Sequence, residues 1–185
     1  MRPKVFGIGF HKTGTSSLRD ALTMLGYSVT GPNGVRDPNI SENALPMALK
    51  LASEFDAFRD NPWPILFREM DAAFPGSRFV LTIRDPLMWI SSAVTHFGTK
   101  HTPMREWIYG HGSPIGHEDV YLDVYNRHNE AVRAHFAGRD DLLIIDVTIG
   151  QGWPELCGFL DCAMPTAPFP HSNPRSARPC NPVAG

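Results

Sequence analysis

The chain has 185 residues, of which 42% are hydrophobic, and a formal net charge of −2. That length supports one globular domain with a real core, residues 1–185, and the lack of a basic surplus excludes bulk nucleic-acid binding, which needs excess cations to displace counterions. No apolar run of about 18 residues, no signal-peptide stretch after Met1-Arg2-Pro3-Lys4, and three cysteines (Cys157, Cys162, Cys180) without metal-ligand spacing together predict a soluble, cytoplasmic protein with reduced thiols.

Val5–Phe10 reads as a buried strand and Thr15–Leu25 as a helix, with Gly26 at its C-terminal cap. Tyr27–Thr30 follows as a short strand, then a Gly31-Pro32-Asn33-Gly34 loop. Ser41 is placed to cap a helix running to Ser53, with Pro46 in its first turn or kinking it. Phe55–Arg59 is strand-like, and Pro62-Trp63-Pro64 leads into a helix that ends near Phe74. Arg78–Ile83 carries the strongest strand pattern. Asp85 caps the next helix, with Pro86 at its first position, and that helix extends to Phe97. Residues 98–116 show little periodicity and read as one long loop. Glu118–Phe136 is an amphipathic helix, Leu142–Asp146 a strand and Trp153–Leu160 a short helix, with Cys157 and Cys162 taken as buried helix packing. Pro165–Pro182 is a proline-rich, extended tail. The alternation of strands and helices predicts an α/β fold of three layers, a mostly parallel sheet covered by helices on both faces.

The most informative segment is Gly7-Ile8-Gly9-Phe10-His11-Lys12-Thr13-Gly14-Thr15-Ser16-Ser17-Leu18. A strand, a tight loop of small residues and a helix N-terminus make an anion site, to which Lys12 adds a full charge. The order differs from the G-x-x-x-x-G-K-[ST] phosphate loop, because Lys12 precedes Gly14, and from G-x-G-x-x-G, because Lys12 stands where the third glycine belongs. A lysine followed by Thr13-Gly14-Thr15-Ser16 directly after a strand resembles the 5′-phosphosulfate loop of sulfotransferases, which use 3′-phosphoadenosine 5′-phosphosulfate (PAPS) on a P-loop-like fold. Phe79-Val80-Leu81-Thr82-Ile83-Arg84-Asp85-Pro86, with Ser92 in the helix beyond, resembles that family's 3′-phosphate segment. An arginine fork with a hydroxyl suits a phosphate monoester. Weaker likeness runs through Phe55–Pro62, Trp153–Leu160 and Phe169–Asn173, so the resemblance spans nearly the whole chain.

The resemblance implies that Lys12, Thr13, Gly14, Thr15, Ser16 and Ser17 hold the 5′ end of PAPS and that Arg84 and Ser92 hold its 3′-phosphate. It implies sulfuryl transfer to a hydroxyl or amine of a small acceptor, with Lys12 catalytic and no metal required. The general base is open. Asp60 stands two residues before Pro62, where relatives place a histidine or carboxylate; as base it needs burial to raise its basicity, which Arg59 opposes unless it points the other way, and the alternative reading is a cap of the following helix. His11, beside Lys12, is the alternative base. The histidines near 96–117 lack metal-ligand spacing. The family's late basic loop implies that His171, Asn173 and Arg175 close over the nucleotide, the alternative being a disordered tail, and Trp63, Trp89, Phe97, Trp107 and Tyr109 either line an acceptor pocket or form core. Two other readings remain: a nucleotide-binding module of the same fold without catalysis, and a small-molecule kinase in which Leu142–Asp146 acts as a metal-binding strand.

Overall fold

Successive residues of a strand point to opposite faces, and here each face is apolar. The computed structural model describes residues 2–172. Five strands, β1 (Val5–Gly7), β2 (Val29–Thr30), β3 (Ala57–Phe58), β4 (Arg78–Thr82) and β5 (Leu142–Ile145), form one sheet, all parallel, in the order β2-β3-β1-β4-β5. Among the described residues seven helices flank it: α1 (Thr15–Met24), α2 (Ile40–Glu54), α3 (Phe67–Ala73), α4 (Pro86–Phe97), α5 (Pro103–Tyr109), α6 (Glu118–His135) and α7 (Trp153–Leu160), with a 3₁₀ turn at Val147–Ile149. This is the α/β architecture that the alternation of elements predicts.

Register sets the two cores. Phe6 pairs with Phe58 on one side and Phe79 on the other. The three rings stack on one face, with centroids 4.6 and 5.4 Å from that of Phe6. There they meet Ala44 and Ala48 of α2, Met70 of α3 and Val132 of α6. Val5, Ala57 and Val80 face the other way, onto Leu18 and Leu22 of α1 and Trp153 and Leu156 of α7. A third apolar group lies over the C-terminal edge of the sheet: Phe10, Trp89, Ile90, Tyr109, Tyr121 and Tyr125.

Several boundaries differ from expectation. The first strand stops at Gly7 rather than Phe10, because the chain lifts off the sheet into the loop. Ile8 N–H still donates to Val80 C=O at 2.8 Å. A side chain on Gly9 would lie within 2.1–2.7 Å of Thr82 backbone and hydroxyl atoms, so only glycine fits. Asn39, not Ser41, stands at the N-cap of α2, and Pro46 is inside it. The segment after Pro62 turns until Leu66, so α3 begins at Phe67. Residues 98–116 hold a helix of their own, α5, capped by the Thr102 hydroxyl with Pro103 at its first position. Cys162 lies beyond α7 and is exposed, so of the two thiols only Cys157 packs in the core. The proline-rich stretch is docked as far as Ser172: Trp153 Nε1 donates to Ala167 C=O at 2.8 Å, and the Phe169 ring sits 5.0 Å from the Trp153 ring.

Gly9→Ala should abolish folding or lower stability by about 3 kcal/mol or more, the scale of overpacking against fixed backbone. Gly158→Ala, in a helix with nothing within 4 Å of the new carbon, should be neutral or stabilising by up to about 1 kcal/mol. Urea unfolding of the two variants beside wild type checks the contrast.

Candidate functional site

The loop between β1 and α1 is held from beneath. Thr13 is fully buried, and its hydroxyl donates to Phe10 C=O at 2.5 Å and lies 2.6 Å from the Thr82 hydroxyl. Its side chain therefore ties the loop to β4, leaving only its amide for a ligand. Lys12 adopts a left-handed backbone conformation (φ 66°), unusual for a side-chain-bearing residue and a mark of local strain. Gly14 (φ 98°) stands at the N-cap of α1, pressed against Val147. The first turn of α1 supplies N–H groups without intrahelical acceptors, at the positive end of the helix dipole. Ser17 is buried, and its hydroxyl accepts from Ser172 N–H at 3.1 Å.

Arg84 follows β4 at the same sheet edge. Asp85 caps α4 by accepting from Met88 N–H at 2.9 Å, with Pro86 in its first turn. The Tyr125 hydroxyl grips Arg84 at both backbone groups, accepting from its N–H at 2.9 Å and donating to its C=O at 2.8 Å. Tyr125 stacks on Trp89 at 4.3 Å, and Trp89 Nε1 donates to His11 C=O at 2.8 Å. This aromatic bridge fixes Arg84 relative to the loop, and Arg84 Nη1 donates to Lys12 C=O at 3.3 Å. Sequence reasoning missed Tyr125 in this role, since it lay within the amphipathic helix Glu118–Phe136 with nothing to single it out.

Asp60 also arrives at this edge. It has a left-handed backbone (φ 63°), and its carboxylate accepts from Asn61 N–H at 2.8 Å and from the Thr15 hydroxyl at 3.1 Å. The carboxylate therefore touches the phosphate loop itself. It does not cap a helix, since α3 begins seven residues later, behind Leu66. Arg59 does not point away: its Nη1 is 3.5 Å from Asp60 Oδ2. The left-handed turn at Asp60 breaks the side-to-side alternation of a strand and brings both groups together. Burial pushes the Arg59 guanidinium below its ordinary range.

His11 is walled in by Trp89, Phe97 and Tyr109. Its Nδ1 lies 3.3 Å from Asn61 Nδ2 and its Nε2 3.3 Å from the Tyr109 hydroxyl. Burial, reinforced by the charges of Arg105, Lys12 and then His96, lowers its pKa to about 3. Both ring nitrogens are thus engaged, one with Asn61 and the other with Tyr109.

These groups line one cavity of about 1140 Å³. That exceeds the usual size of a single small-ligand pocket and leaves room for two ligands. Lys12, Arg59, Arg84 and Arg105 bring four cations to its wall and Asp60 one carboxylate. Arg105 braces the 98–112 segment, donating through Nε to Gly112 C=O at 2.9 Å and also to Lys100 C=O, with its guanidinium over the Phe97 ring at 4.3 Å. Ser92, Thr148 and Gly150 line the same cavity, as does His171. Asn173 and Arg175 lie outside the described residues. Among the aromatics weighed for an acceptor pocket, Trp63 and Trp89 are fully buried core and Phe97 reaches the cavity wall.

The sulfotransferase domain profile matches residues 4–118 and 102–178 of this sequence. The chain belongs to the sulfotransferase-domain family. It is also similar to Ava biosynthesis cluster protein M of Aspergillus versicolor, with 25% identity over 213 residues that cover 91% of this chain and 80% of that protein. In this sulfotransferase-domain chain, Asp146 accepts from the N–H and hydroxyl of Thr148 and so holds the 3₁₀ turn, a structural task that accounts for it without metal. Among the described residues no group of three or more His, Cys, Asp or Glu is placed to hold a metal ion, and no helix is long and apolar enough to cross a membrane.

The buried imidazoles give a pH signature. His11 titrates at about 3, and His128, whose Nε2 donates to Ile8 C=O at 2.8 Å, is lowered to about 4 by burial. Between those values and 6.5 the unfolded chain binds more protons than the folded one. Stability should be complete above pH 6.5 and decline as pH falls toward 4. His128→Gln, which keeps a neutral donor, should flatten that decline. Thermal melts from pH 7.5 to 4 check the slope.

Proposed function

We propose that this protein is a sulfotransferase that moves a sulfuryl group from PAPS to a hydroxyl or amine of a small acceptor. The observation that carries the reading is the meeting of Lys12 and Arg84: one contact of 3.3 Å joins the loop to the arginine, and both line one cavity. A nucleotide phosphorylated at both ends requires two cationic anchors on the same side of a sheet, and these two residues supply them. The excess of cations over carboxylates around the cavity favours such a polyanion.

In this reading Lys12, the loop amides from Thr13 to Ser17 and the α1 dipole hold the 5′ end, and Arg84 with Ser92 holds the 3′-phosphate. Bound there, PAPS supplies an activated sulfuryl group and leaves as adenosine 3′,5′-bisphosphate. Lys12 and the amides stabilise the negative charge that grows on the departing side, as preorganised donors do. Asp60, the carboxylate among the cavity's lining residues, takes the acceptor proton, although its pairing with Arg59 opposes the rise in basicity that proton abstraction calls for. Its carboxylate stands at the loop, where an acceptor must approach, whereas His11 positions Asn61 and Tyr109. Arg59, paired with Asp60, offsets the repulsion between that carboxylate and an anionic donor. Phe97, Met104, Val35 and Pro32 give the remaining wall the apolar character of an acceptor site. A reducing, cytoplasmic setting fits the free thiols of Cys157 and Cys162.

Adenosine 3′,5′-bisphosphate should raise the melting temperature without Mg²⁺, while Mg·ATP should not; the reverse result would favour the kinase reading. Arg84→Ala should weaken the bisphosphate by about 10- to 100-fold, the scale of a lost charge-assisted contact, and adenosine 5′-phosphosulfate far less. Tyr125→Phe should show the same selectivity with a smaller loss, about fivefold to tenfold, because the arginine keeps its charge and loses its clamp. Equal losses for both ligands would remove Arg84 from the 3′-phosphate. With a transfer assay in hand, Lys12→Ala should abolish turnover. Asp60→Asn should lower kcat by about 100-fold or more with nucleotide affinity nearly unchanged, the usual scale for a removed general base. Full bisphosphate binding with no transfer to any acceptor in a broad panel would favour the non-catalytic module.

A further inference from the structure

Helix α7 ends in a way that brings two specific side chains together. Asp161 adopts the left-handed conformation (φ 50°), and the N–H groups of Asp161 and Cys162 both turn back to the C=O of Cys157, the latter at 3.1 Å. A bond from the sixth residue to the first around a left-handed cap is the pattern in which the side chains flanking the turn meet, ordinarily as an apolar contact. Here both members of that pair are cysteines. Cys157 is buried and Cys162 exposed, both thiols are free, and the two residues line one shallow depression with Pro154, Gly158, Asp161 and Met164.

We propose that Cys157 and Cys162 form a thiol-oxidation site that closes to an intramolecular disulfide on reaction with a low-molecular-weight disulfide such as oxidised glutathione. The exposed Cys162 thiolate attacks one glutathione sulfur, forming a mixed disulfide and expelling glutathione thiolate. The Cys157 thiolate, its proton released to solvent, then attacks the Cys162 sulfur and expels the second glutathione. Two protein thiols are oxidised, and one glutathione disulfide is reduced to two glutathione molecules. The second step is intramolecular, between two residues that the helix cap pairs and one depression exposes together, so it outruns attack from solution.

Burial and the adjacent Cys162 thiol push Cys157 up to about 11, which supports the contact between them and makes closure slow at neutral pH and faster as pH rises. Position gives the bond a consequence. Cys162 is the root of the segment that runs past Trp153 to Phe169 and on to Ser172, which bonds Ser17 and Asp20 of α1. The disulfide therefore fixes the start of a segment whose end forms a wall of the proposed nucleotide cavity.

The experiment uses the full chain carrying Cys180→Ser, treated with oxidised glutathione between pH 7 and 9, then alkylated under denaturing conditions and analysed by mass spectrometry. The expected product has lost two hydrogens, takes up no alkyl group at Cys157 or Cys162 and carries no glutathione, and it forms faster at the higher pH. In the Cys157→Ser variant, glutathione should instead remain attached to Cys162. The Cys180→Ser protein that retains glutathione on Cys162 with Cys157 still alkylated, or that leaves both cysteines alkylated and free of glutathione, would overturn the proposal. So would a disulfide that links two chains rather than the two cysteines of one.

Discussion

The site depends on a single junction, the donation from the Arg84 guanidinium to the Lys12 carbonyl above the β1–β4 edge. Strand order makes it possible. β1 is central, the chain departs from it toward β3 and β2, and it returns to the opposite flank at β4. The loops after β1 and β4 therefore diverge and leave a crevice between them, the place where open parallel sheets bind ligands. Thr13 and Thr82 pin the crevice floor through their hydroxyls, and Gly9 permits the close approach.

Above that floor, rigidity comes from polar tips on apolar bodies. Tyr125, Trp89 and Tyr109 bury their rings over the edge while aiming one hydroxyl or N–H each at Arg84, the His11 carbonyl and the His11 ring. Each buried polar atom so engaged avoids the cost of an unmet hydrogen bond, and each contact removes a degree of freedom from a functional residue. His128 does the same from α6 for the carbonyl of Ile8. Neutral imidazoles suit these posts, because a cation there would be buried, near Arg105 and Lys12 at His11 and near Arg68 at His128.

The cavity walls have a different origin. Segment 98–117 supplies Thr102, Met104 and Arg105 through α5, and the 161–172 segment supplies His171 and Ser172 through its docking on Trp153 and α1. Both belong to connections rather than to the sheet. The division is common in α/β proteins: the scaffold fixes the chemistry while loops shape what may enter.

Local sequence determined a good part of this. Local composition located each of the five strands among the described residues, and Asp85-Pro86 marked the start of α4, because strand propensity and capping act over a few residues. The order of Lys12, Gly14 and Thr15 after a strand, with Arg84 after another, carried the family, which rests on short motifs each confined to one loop. Tertiary structure alone decided which residues share a space. Arg59 and Asp60 face each other because Asp60 turns left-handed at the end of β3, a conformation that no pattern of neighbours announces. His11 is buried, its pKa lowered, because residues up to 98 positions away close around it. Burial and charge at a site are sums over the whole fold, and a linear sequence does not contain those sums until the chain has packed.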